Sequence, residues 1–155
     1  MEVLIVVPVV TAVMYCEGTF NEPSGSGLKM HMMAPTHSFL IPFVPTQFSF
    51  GIVIGIRDID RRTQNNMRIQ ICDPEANPIH DTGLIEIPII DGAQNDAIPC
   101  EGQGFYIALD LRNVGISALG AYITTIELND VVLGEYPIYF GLKSSIAQQS
   151  KISEI

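Results

Sequence analysis

Apolar residues alternate with polar or small residues along much of this chain, and the longest alternation lies near the middle. From Phe48 to Ile56 every second residue is Phe or Ile, and the residues between them are Ser, Gly or Val. Successive side chains of a β-strand point to opposite faces, so this pattern predicts a half-buried strand. Gly51 and Gly55 fall on the second face and predict a bend or a close backbone approach there.

Shorter alternations predict further strands on both sides of this one. Each has an apolar residue at every second position, in the sets Leu28, Met30, Met32; Phe39, Ile41, Phe43; Met67, Ile69, Ile71; Ile85, Ile87, Ile89; and Phe105, Ile107, Leu109, Leu111. Pro88 restricts the fourth strand to an edge or an end, because proline has no N–H to donate. The polar stretches Asp58–Asn65 and Asp73–Pro78 predict turns, and Asn21–Gly27, rich in Ser, Gly and Pro, predicts a flexible loop.

Asn129-Asp130 separates two apolar stretches near the C-terminus and predicts a two-residue hairpin turn. Asn and Asp tolerate the positive φ that such a turn requires. A turn at these residues pairs Leu128 with Val131 and Ile126 with Leu133. One face of the hairpin then carries a set that we expect to face the core: Tyr122, Ile126, Leu128, Val131 and Leu133.

The N-terminal stretch Met1–Cys16 is mostly Val and Ile, and it predicts one or two core strands. Its apolar run is shorter than the ~20 residues that span a bilayer, and Pro8 interrupts it. Glu2 stands where a signal peptide carries basic residues, and no Ala-x-Ala cleavage motif follows. We therefore expect a cytoplasmic protein without a membrane partner.

Helical periodicity is confined to the C-terminal stretch Leu142–Ile155, which could hold a short helix or be frayed. Many short strands with turns about every ten residues are typical of a sandwich or a barrel. Uneven strand lengths and prolines at expected edges favour the sandwich. The predicted fold is all-β: a single antiparallel β-sandwich of about eight or nine strands with immunoglobulin-like or related topology, over residues 1–141, followed by a polar tail at 142–155.

Several pieces of the chain follow a common plan of strands and loops. They are Gly27-Leu28-Lys29 after a Gly-containing loop, the strand Phe48–Ile56, Asp73-Pro74 with Pro78, and Gly120-Ala121-Tyr122 followed by Asn129-Asp130. In this plan the stretch from Val3 to Phe140 resembles small bacterial β-sandwich proteins of uncharacterised families. The closing strand and hairpin also resemble those of immunoglobulin-like domains, although the chain has no Trp and so lacks their Cys, Trp and Cys pattern. The resemblance implies an architecture and brings no activity with it.

The composition indicates a folded, acidic domain with apolar surface to cover. Of the 155 residues, 47% are hydrophobic and 16% charged, which excludes a disordered chain. The net charge of −9 repels phosphate backbones and acidic lipids, so we expect neither nucleic acid nor membrane as a partner. The mean hydropathy of +0.29 is high for a monomer, and it predicts a surface covered by another protein or a second copy.

Cysteine and histidine residues form no recognisable catalytic or zinc motif. The three cysteines are widely spaced and odd in number: Cys16, Cys72 and Cys100. This favours free buried thiols in a reducing compartment, with one disulfide plus a free thiol as the alternative. The available bases are His31, His37 and His80, and no G-x-S-x-G or catalytic cysteine signature accompanies them. We therefore predict that the protein is not an enzyme, and a Cys/His hydrolase is the third hypothesis.

A soft-metal site is one further possibility. Thioether and imidazole groups suit Cu(I), and five of them lie within eight residues: Met30, His31, Met32, Met33 and His37. Strand alternation separates them, because Met30 and Met32 face opposite to His31 and Met33. We expect Met30 and Met32 to fill gaps in the core and His31 to lie on the polar face beside Lys29.

The acidic loops offer a second kind of site. Asp58 and Asp60 share one predicted loop, and Asp73, Glu75 and Asp81 lie around another. Ca²⁺ needs 6–8 oxygen ligands, and this spacing matches no calcium loop motif, so we interpret these acids as solvated turn residues. The sequence Gly102-Gln103-Gly104 lacks the third glycine of a dinucleotide fingerprint and predicts a turn that enters a strand.

These observations favour a non-enzymatic protein-binding or assembly module, which could self-associate, in a bacterial or phage-related system that the residues do not specify. Strand edges and end loops are the expected contact surfaces, because unpaired N–H and C=O groups can be completed by a partner. The alternative is a metal- or ligand-binding β-sandwich that uses the acidic loops or the Met/His segment. The sequence assigns no catalytic residue, cofactor or metal ligand.

Overall fold

The protein is all-β. A computed structural model describes residues 7–25, 27–89, 98–99 and 102–143, and these ranges contain no α-helix. No helix long and apolar enough to cross a membrane is therefore found in the described part of the chain. The strands β1 to β11 follow in chain order: Val9–Cys16, Gly18–Ser24, Gly27–Met33, Ser38–Ile41, Thr46–Arg57, Asn65–Cys72, Pro78–Asp81, Ile85–Ile87, Gly104–Ile116, Gly120–Leu128 and Val131–Leu142.

The described strands form three sheets. β5 is the central strand of a three-stranded antiparallel sheet, between β1 and β9. A six-stranded sheet has the order β4-β11-β10-β6, and β7 and β8 both pair with the remaining edge of β6. Within it only β4 and β11 run parallel. β2 and β3 form a separate antiparallel hairpin.

The strand predicted from Phe48 to Ile56 is confirmed as β5, but it is buried on both faces along its second half. Gly51 lies under the start of β2, where a Cβ would be 2.8 Å from Cys16 Sγ and 3.4 Å from Gly18 Cα. At Gly55 a Cβ would be 2.6 Å from the ring of Tyr106. The predicted close backbone approach is therefore confirmed at Gly51, whereas the atoms near Gly55 belong to the side chains of Tyr106 and Thr11. Both sets of contacts cover the second face of β5, which is why the strand is not half-buried as expected.

The three-stranded and six-stranded sheets share one hydrophobic core. Apolar side chains of β5 and β9 meet those of β4, β6, β10 and β11 in a single cluster. Four phenylalanines join the two sheets, with ring centroids 5.3 Å apart for Phe39 and Phe50 and 5.7 Å apart for Phe48 and Phe140. Aromatic pairs at these separations are favourable beyond the area that they bury.

The C-terminal hairpin is confirmed at its turn and corrected just beyond it. Asn129 and Asp130 have φ of 50° and 65°, and Leu128 pairs with Val131 as predicted. A bulge follows, so that Ile126 pairs with Gly134 instead of Leu133. Val131 is exposed, contrary to the prediction, while Leu133 packs against the core as a partly buried residue. The bulge inserts one residue, which alternation alone does not reveal.

The number of strands differs from the prediction, while the position of β8 agrees with it. There are eleven described strands instead of eight or nine, because Asn21–Ser24, expected in a flexible loop, belongs to β2, and because β7 is a short strand that was not predicted. β8 ends before Pro88 and lies at a sheet edge, as predicted. The N-terminal stretch forms one described strand, β1, and residues 1–6 of this stretch lie outside the described ranges. The predicted helix or frayed tail also lies outside them from residue 144 onward.

Candidate protein-interaction surface

The β2–β3 hairpin, called the arm from here on, pairs with no other strand among the described residues. Its two strands are in register from Gly18 opposite Met33 to Ser24 opposite Gly27. Gly27 has φ of 129°, which favours glycine, and the Ser24 hydroxyl donates to the Gly27 carbonyl at 3.1 Å. Two-stranded hairpins are marginally stable in water unless they pack against other structure, so the attachment and the faces of the arm are its informative features.

A few contacts at its root hold the arm to the three-stranded sheet. The Glu17 N–H donates to the Met33 carbonyl at 2.9 Å and closes the base of the hairpin. The backbone N–H and the hydroxyl of Thr19 both donate to Asp110 Oδ1, at 3.3 and 3.2 Å. Asp110 is on β9, so the chain leaves β1, crosses over Gly51 of β5, and is tied to the far strand of that sheet.

One face of the arm carries no charge. Residues directly opposite in an antiparallel pair point to the same side, so this face combines three residues of each strand: Thr19, Asn21, Pro23, Leu28, Met30 and Met32. Leu28 is 69% exposed and Met30 37% exposed. Met30 and Met32 both lie outside the hydrophobic core cluster, so the prediction that they fill the core is wrong. Alternation correctly groups them on one face, but no second layer covers that face in the described structure.

The opposite face is organised around His31. Its ring stacks on Phe20 with centroids 4.7 Å apart, and its Nε2 lies 2.7 Å from Glu22 Oε2. Lys29 is on the same side, directly opposite Glu22. The expectation that His31 lies beside Lys29 on the polar face is confirmed. The Met/His segment is thus divided between two faces of a hairpin, and its residues do not converge on one point.

His37 and His80 are not part of the arm. His37 is exposed and lines a 340 Å³ pocket with Tyr15 and Tyr136, and His80 lies in β7. The Tyr15 hydroxyl donates to the Tyr136 carbonyl at 2.9 Å and hydrogen-bonds Thr124 Oγ1 at 2.8 Å. Burial raises the pKa of Tyr15 to about 12, while Thr124 acts in the opposite direction. This tyrosine is therefore a neutral link between the sheets at neutral pH.

The cysteines that the structure describes are free thiols. Cys16 is buried at the end of β1, and Cys72 is partly exposed at the end of β6. Burial raises the pKa of Cys16, the Gly18 backbone lowers it, and the nearby Asp110 raises it further. A raised pKa keeps the thiol protonated, which is the opposite of what a nucleophilic cysteine needs. Cys100 lies outside the described residues.

In the first acidic loop the carboxylates interact with nearby arginines and backbone amides. Asp60 Oδ1 accepts from the N–H and the Nε of Arg62, which lowers the pKa of Asp60. Asp58 Oδ1 lies 3.2 Å from Arg57 Nε. Each of the two carboxylates therefore has one oxygen beside an arginine side chain.

The second acidic loop is organised in the same way. Asp73 Oδ1 accepts from the N–H groups of Glu75 and Asn77, which stabilises the turn before β7. Asp81 pairs with Arg68 and accepts from the Gly83 N–H. Among the described residues no group of three or more His, Cys, Asp or Glu is placed to hold a metal ion.

The sequence Gly102-Gln103-Gly104 leads into β9 as predicted, and it lies next to the buried side chain of Arg61. The Gln103 carbonyl accepts from the Asp58 N–H at 2.8 Å. Arg61, which is 8% exposed, donates to the carbonyls of Gly104 and Pro88 and lies 5.3 Å from the ring centroid of Phe105. Burial lowers the pKa of Arg61. These contacts attach the Asp58–Asn65 turn to β9 and to the end of β8.

Sequence reasoning missed two residues of the arm, Thr19 and Phe20, and it missed Asp110 of β9, which holds the arm at its root. A signal was present, because a Ser/Gly-rich segment between two short apolar stretches is also the mark of a hairpin. The contact of Thr19 with Asp110 joins residues far apart in the chain, and no local pattern predicts it. Compared with models of known protein families the chain matches none, and no curated protein sequence matches it.

Proposed function

We propose that this protein is a non-enzymatic protein-binding or assembly module, and that the arm is its contact surface. The observation that carries the proposal is the uncharged face of the arm, with Leu28, Met30 and Met32 on a hairpin that packs on no second layer among the described residues. Exposed apolar patches on folded domains mark interaction sites. A partner strand or surface would also supply the packing that a two-stranded hairpin lacks.

Charge supports the same surface. Residues 18–33 contain one acidic residue, Glu22, and one basic residue, Lys29, while the whole chain carries −9. The charges of Glu22 and Lys29 cancel, so the net negative charge lies outside the arm and a partner that approaches the arm meets a surface without net charge. Acidic surfaces elsewhere repel nucleic acids and anionic lipids, which favours a protein partner.

In this proposal the two larger sheets, outside the arm, serve as a scaffold that positions the arm. We infer that the three-stranded and six-stranded sheets form a β-sandwich of immunoglobulin-like or related topology, with the parallel β4–β11 pair as a departure from a purely antiparallel plan. The shared core of the two sheets supports this arrangement. The free thiols of Cys16 and Cys72 support a cytoplasmic setting, because reducing compartments keep thiols unpaired.

The proposal is tested by changing the arm and a matched site outside it. Leu28 and Leu84 are each 69% exposed, and only Leu28 is on the arm. Wild-type protein, Leu28→Asp and Leu84→Asp are compared by light scattering after size-exclusion chromatography and as baits in native lysate, with captured proteins identified by mass spectrometry. We expect Leu28→Asp alone to lose association. A wild-type protein that is strictly monomeric and captures nothing would contradict the proposal, as would equal association by all three proteins.

A further inference from the structure

We propose that the arm binds a second copy of this chain, through antiparallel pairing of β3 with β3 of that copy about a two-fold axis at Met30. This inference rests on the proposed function and names its partner. A two-fold interface uses the same surface on both subunits, so the surface must be complementary to itself.

The edge of β3 that faces away from β2 is open in the described structure. β3 pairs with β2 on one side and with no other described strand, so N–H and C=O groups on its other side are free to accept a strand. The outer edge of β2 is less suitable, because Pro23 has no N–H. Of the two edges of the arm, β3 is therefore the one that can extend the sheet.

The residues of β3 are symmetric about Met30. The order Leu28, Lys29, Met30, His31, Met32 is apolar, basic, apolar, basic, apolar. With the axis at Met30, this residue lies opposite its own copy, Lys29 lies opposite His31, and Leu28 lies opposite Met32. Six apolar side chains then lie side by side on the uncharged face, where they bury part of their surface against one another across the axis. The sheet also grows from two strands to four, beyond the two-stranded size that is marginal on its own.

The charges of the arm permit this pairing. Like charges directly opposite destabilise a pair of strands, and Lys29 opposite His31 would do so if both were charged and isolated. Each arm supplies its own compensation, because Glu22 lies 2.7 Å from His31 and directly opposite Lys29 in the hairpin. Glu22 and Lys29 cancel within each arm, so contact between arms brings no net charge together, and the net charge of −9 lies in the remainder of each chain.

Pairing of two seven-residue strands buries a small area. Interfaces below about 1,200 Å² are typical of weak, transient association. We therefore expect a weak dimer whose fraction rises with protein concentration, with a dissociation constant on the order of 10–100 µM.

Charge exchange at Met30 tests the pairing and its register. Met30→Lys and Met30→Glu each place two like charges on the axis of a homodimer, whereas a mixture of the two places Lys opposite Glu. Light scattering over a concentration series should give about 34 kDa for the wild type at high concentration, twice the 17.0 kDa of one chain. Each variant alone should have a dissociation constant at least tenfold higher, and the equimolar mixture should recover dimers. Leu84→Lys and Leu84→Glu are the controls and should behave as the wild type does.

The outcomes separate this inference from the proposed function. A wild-type protein that stays monomeric throughout the series overturns the dimer, and dimers that persist equally in Met30→Lys overturn β3 as the interface. A mixture that fails to associate overturns the axis at Met30. If the wild type is monomeric but captures another protein through Leu28, the proposed function stands and only the second copy is excluded. If Leu28 has no role in any association, both fail.

Discussion

At some positions of this protein, neighbouring atoms within a few ångströms of the Cα atom restrict which residue type fits. Gly104 starts β9, and a Cβ there would be 2.3 Å from the carbonyl oxygen of Ile56. Backbone cannot move aside as easily as the end of a side chain. Gly115 is in the same strand, has no atom within 4 Å of an added Cβ, and its φ lies outside the left-handed region. Close backbone atoms therefore leave no room for a Cβ at Gly104, whereas a Cβ would fit at Gly115.

Alanine substitution should separate these two glycines. Gly104→Ala forces the backbone of β5 and β9 apart and should lower the free energy of unfolding by about 1–3 kcal/mol. Gly115→Ala, the control, should change it by less than about 0.5 kcal/mol. Urea denaturation followed by circular dichroism measures both, and equal effects would contradict the close approach at Gly104.

Tyr15 makes a prediction that depends on pH. Tyr15→Phe removes the hydrogen bonds to Thr124 and the Tyr136 carbonyl and should lower the free energy of unfolding by about 1–2 kcal/mol at neutral pH. The folded pKa is raised from 10.0 to about 12, so the protein favours the protonated form more than the unfolded chain does. The stabilisation is complete below pH 10 and is lost as the pH rises toward 12.

Tyr139 is exposed and provides the matched control for this tyrosine. Denaturation midpoints of the wild type, Tyr15→Phe and Tyr139→Phe should be compared between pH 7 and pH 12. The wild type and Tyr139→Phe should lose stability above pH 10 more steeply than Tyr15→Phe. Identical slopes in all three proteins would argue against a buried, neutral Tyr15 hydroxyl.

At the scale of elements, local patterns predicted strands and turns better than they predicted layers. The strand around Ile52 and the positive φ at Asn129 both follow from local sequence, and the sequence predicts both. The position of the arm was not, because the pattern of Leu28 and Met30 shows which side chains share a face and says nothing about what covers that face. The parallel pairing of β4 with β11 is also a long-range property, which depends on the packing of the whole core.

The root of the arm should be sensitive to Asp110. Asp110→Ala removes the acceptor of both Thr19 hydrogen bonds, and exposed hydrogen bonds each contribute about 0.5–1.5 kcal/mol. We expect the amides of the arm to exchange with deuterium about threefold to tenfold faster, with little change in the amides of β10. Glu75→Ala, on the β6–β7 turn, is the control. Unchanged exchange in the arm of Asp110→Ala would show that this anchor has no effect.

The β6–β7 hairpin should contribute to acid sensitivity. The pairing of Asp81 with Arg68, together with the Gly83 N–H, lowers the pKa of Asp81 from 3.8 to about 2. A lowered folded pKa stabilises the protein above pH 3.8, and this contribution is lost as the pH falls toward 2. Asp81→Asn should therefore show a flatter decline of the denaturation midpoint between pH 4 and pH 2. A decline as steep as that of the wild type would contradict the pairing.

At the scale of the whole molecule, the described residues form a packed body and an exposed arm. The composition predicts apolar surface that a partner covers, and the net charge of −9 disfavours nucleic acid as that partner. Composition does not show where the apolar surface lies. The structure places four exposed apolar side chains on one hairpin, Phe20, Leu28, Met30 and Met33. The same hairpin carries almost none of the negative charge. The exposed apolar side chains of the arm and its lack of net charge together support association through the arm.

Hydrogen–deuterium exchange at two protein concentrations, well below and well above the dissociation constant, tests this central claim most directly. The account predicts that amides of β3 pointing away from β2 exchange slowly only at high concentration, as a second strand covers them. Amides of β9 should exchange at the same rate in both samples. Equal exchange of β3 at both concentrations would contradict the account, as would concentration-dependent protection that falls on β9 and not on the arm.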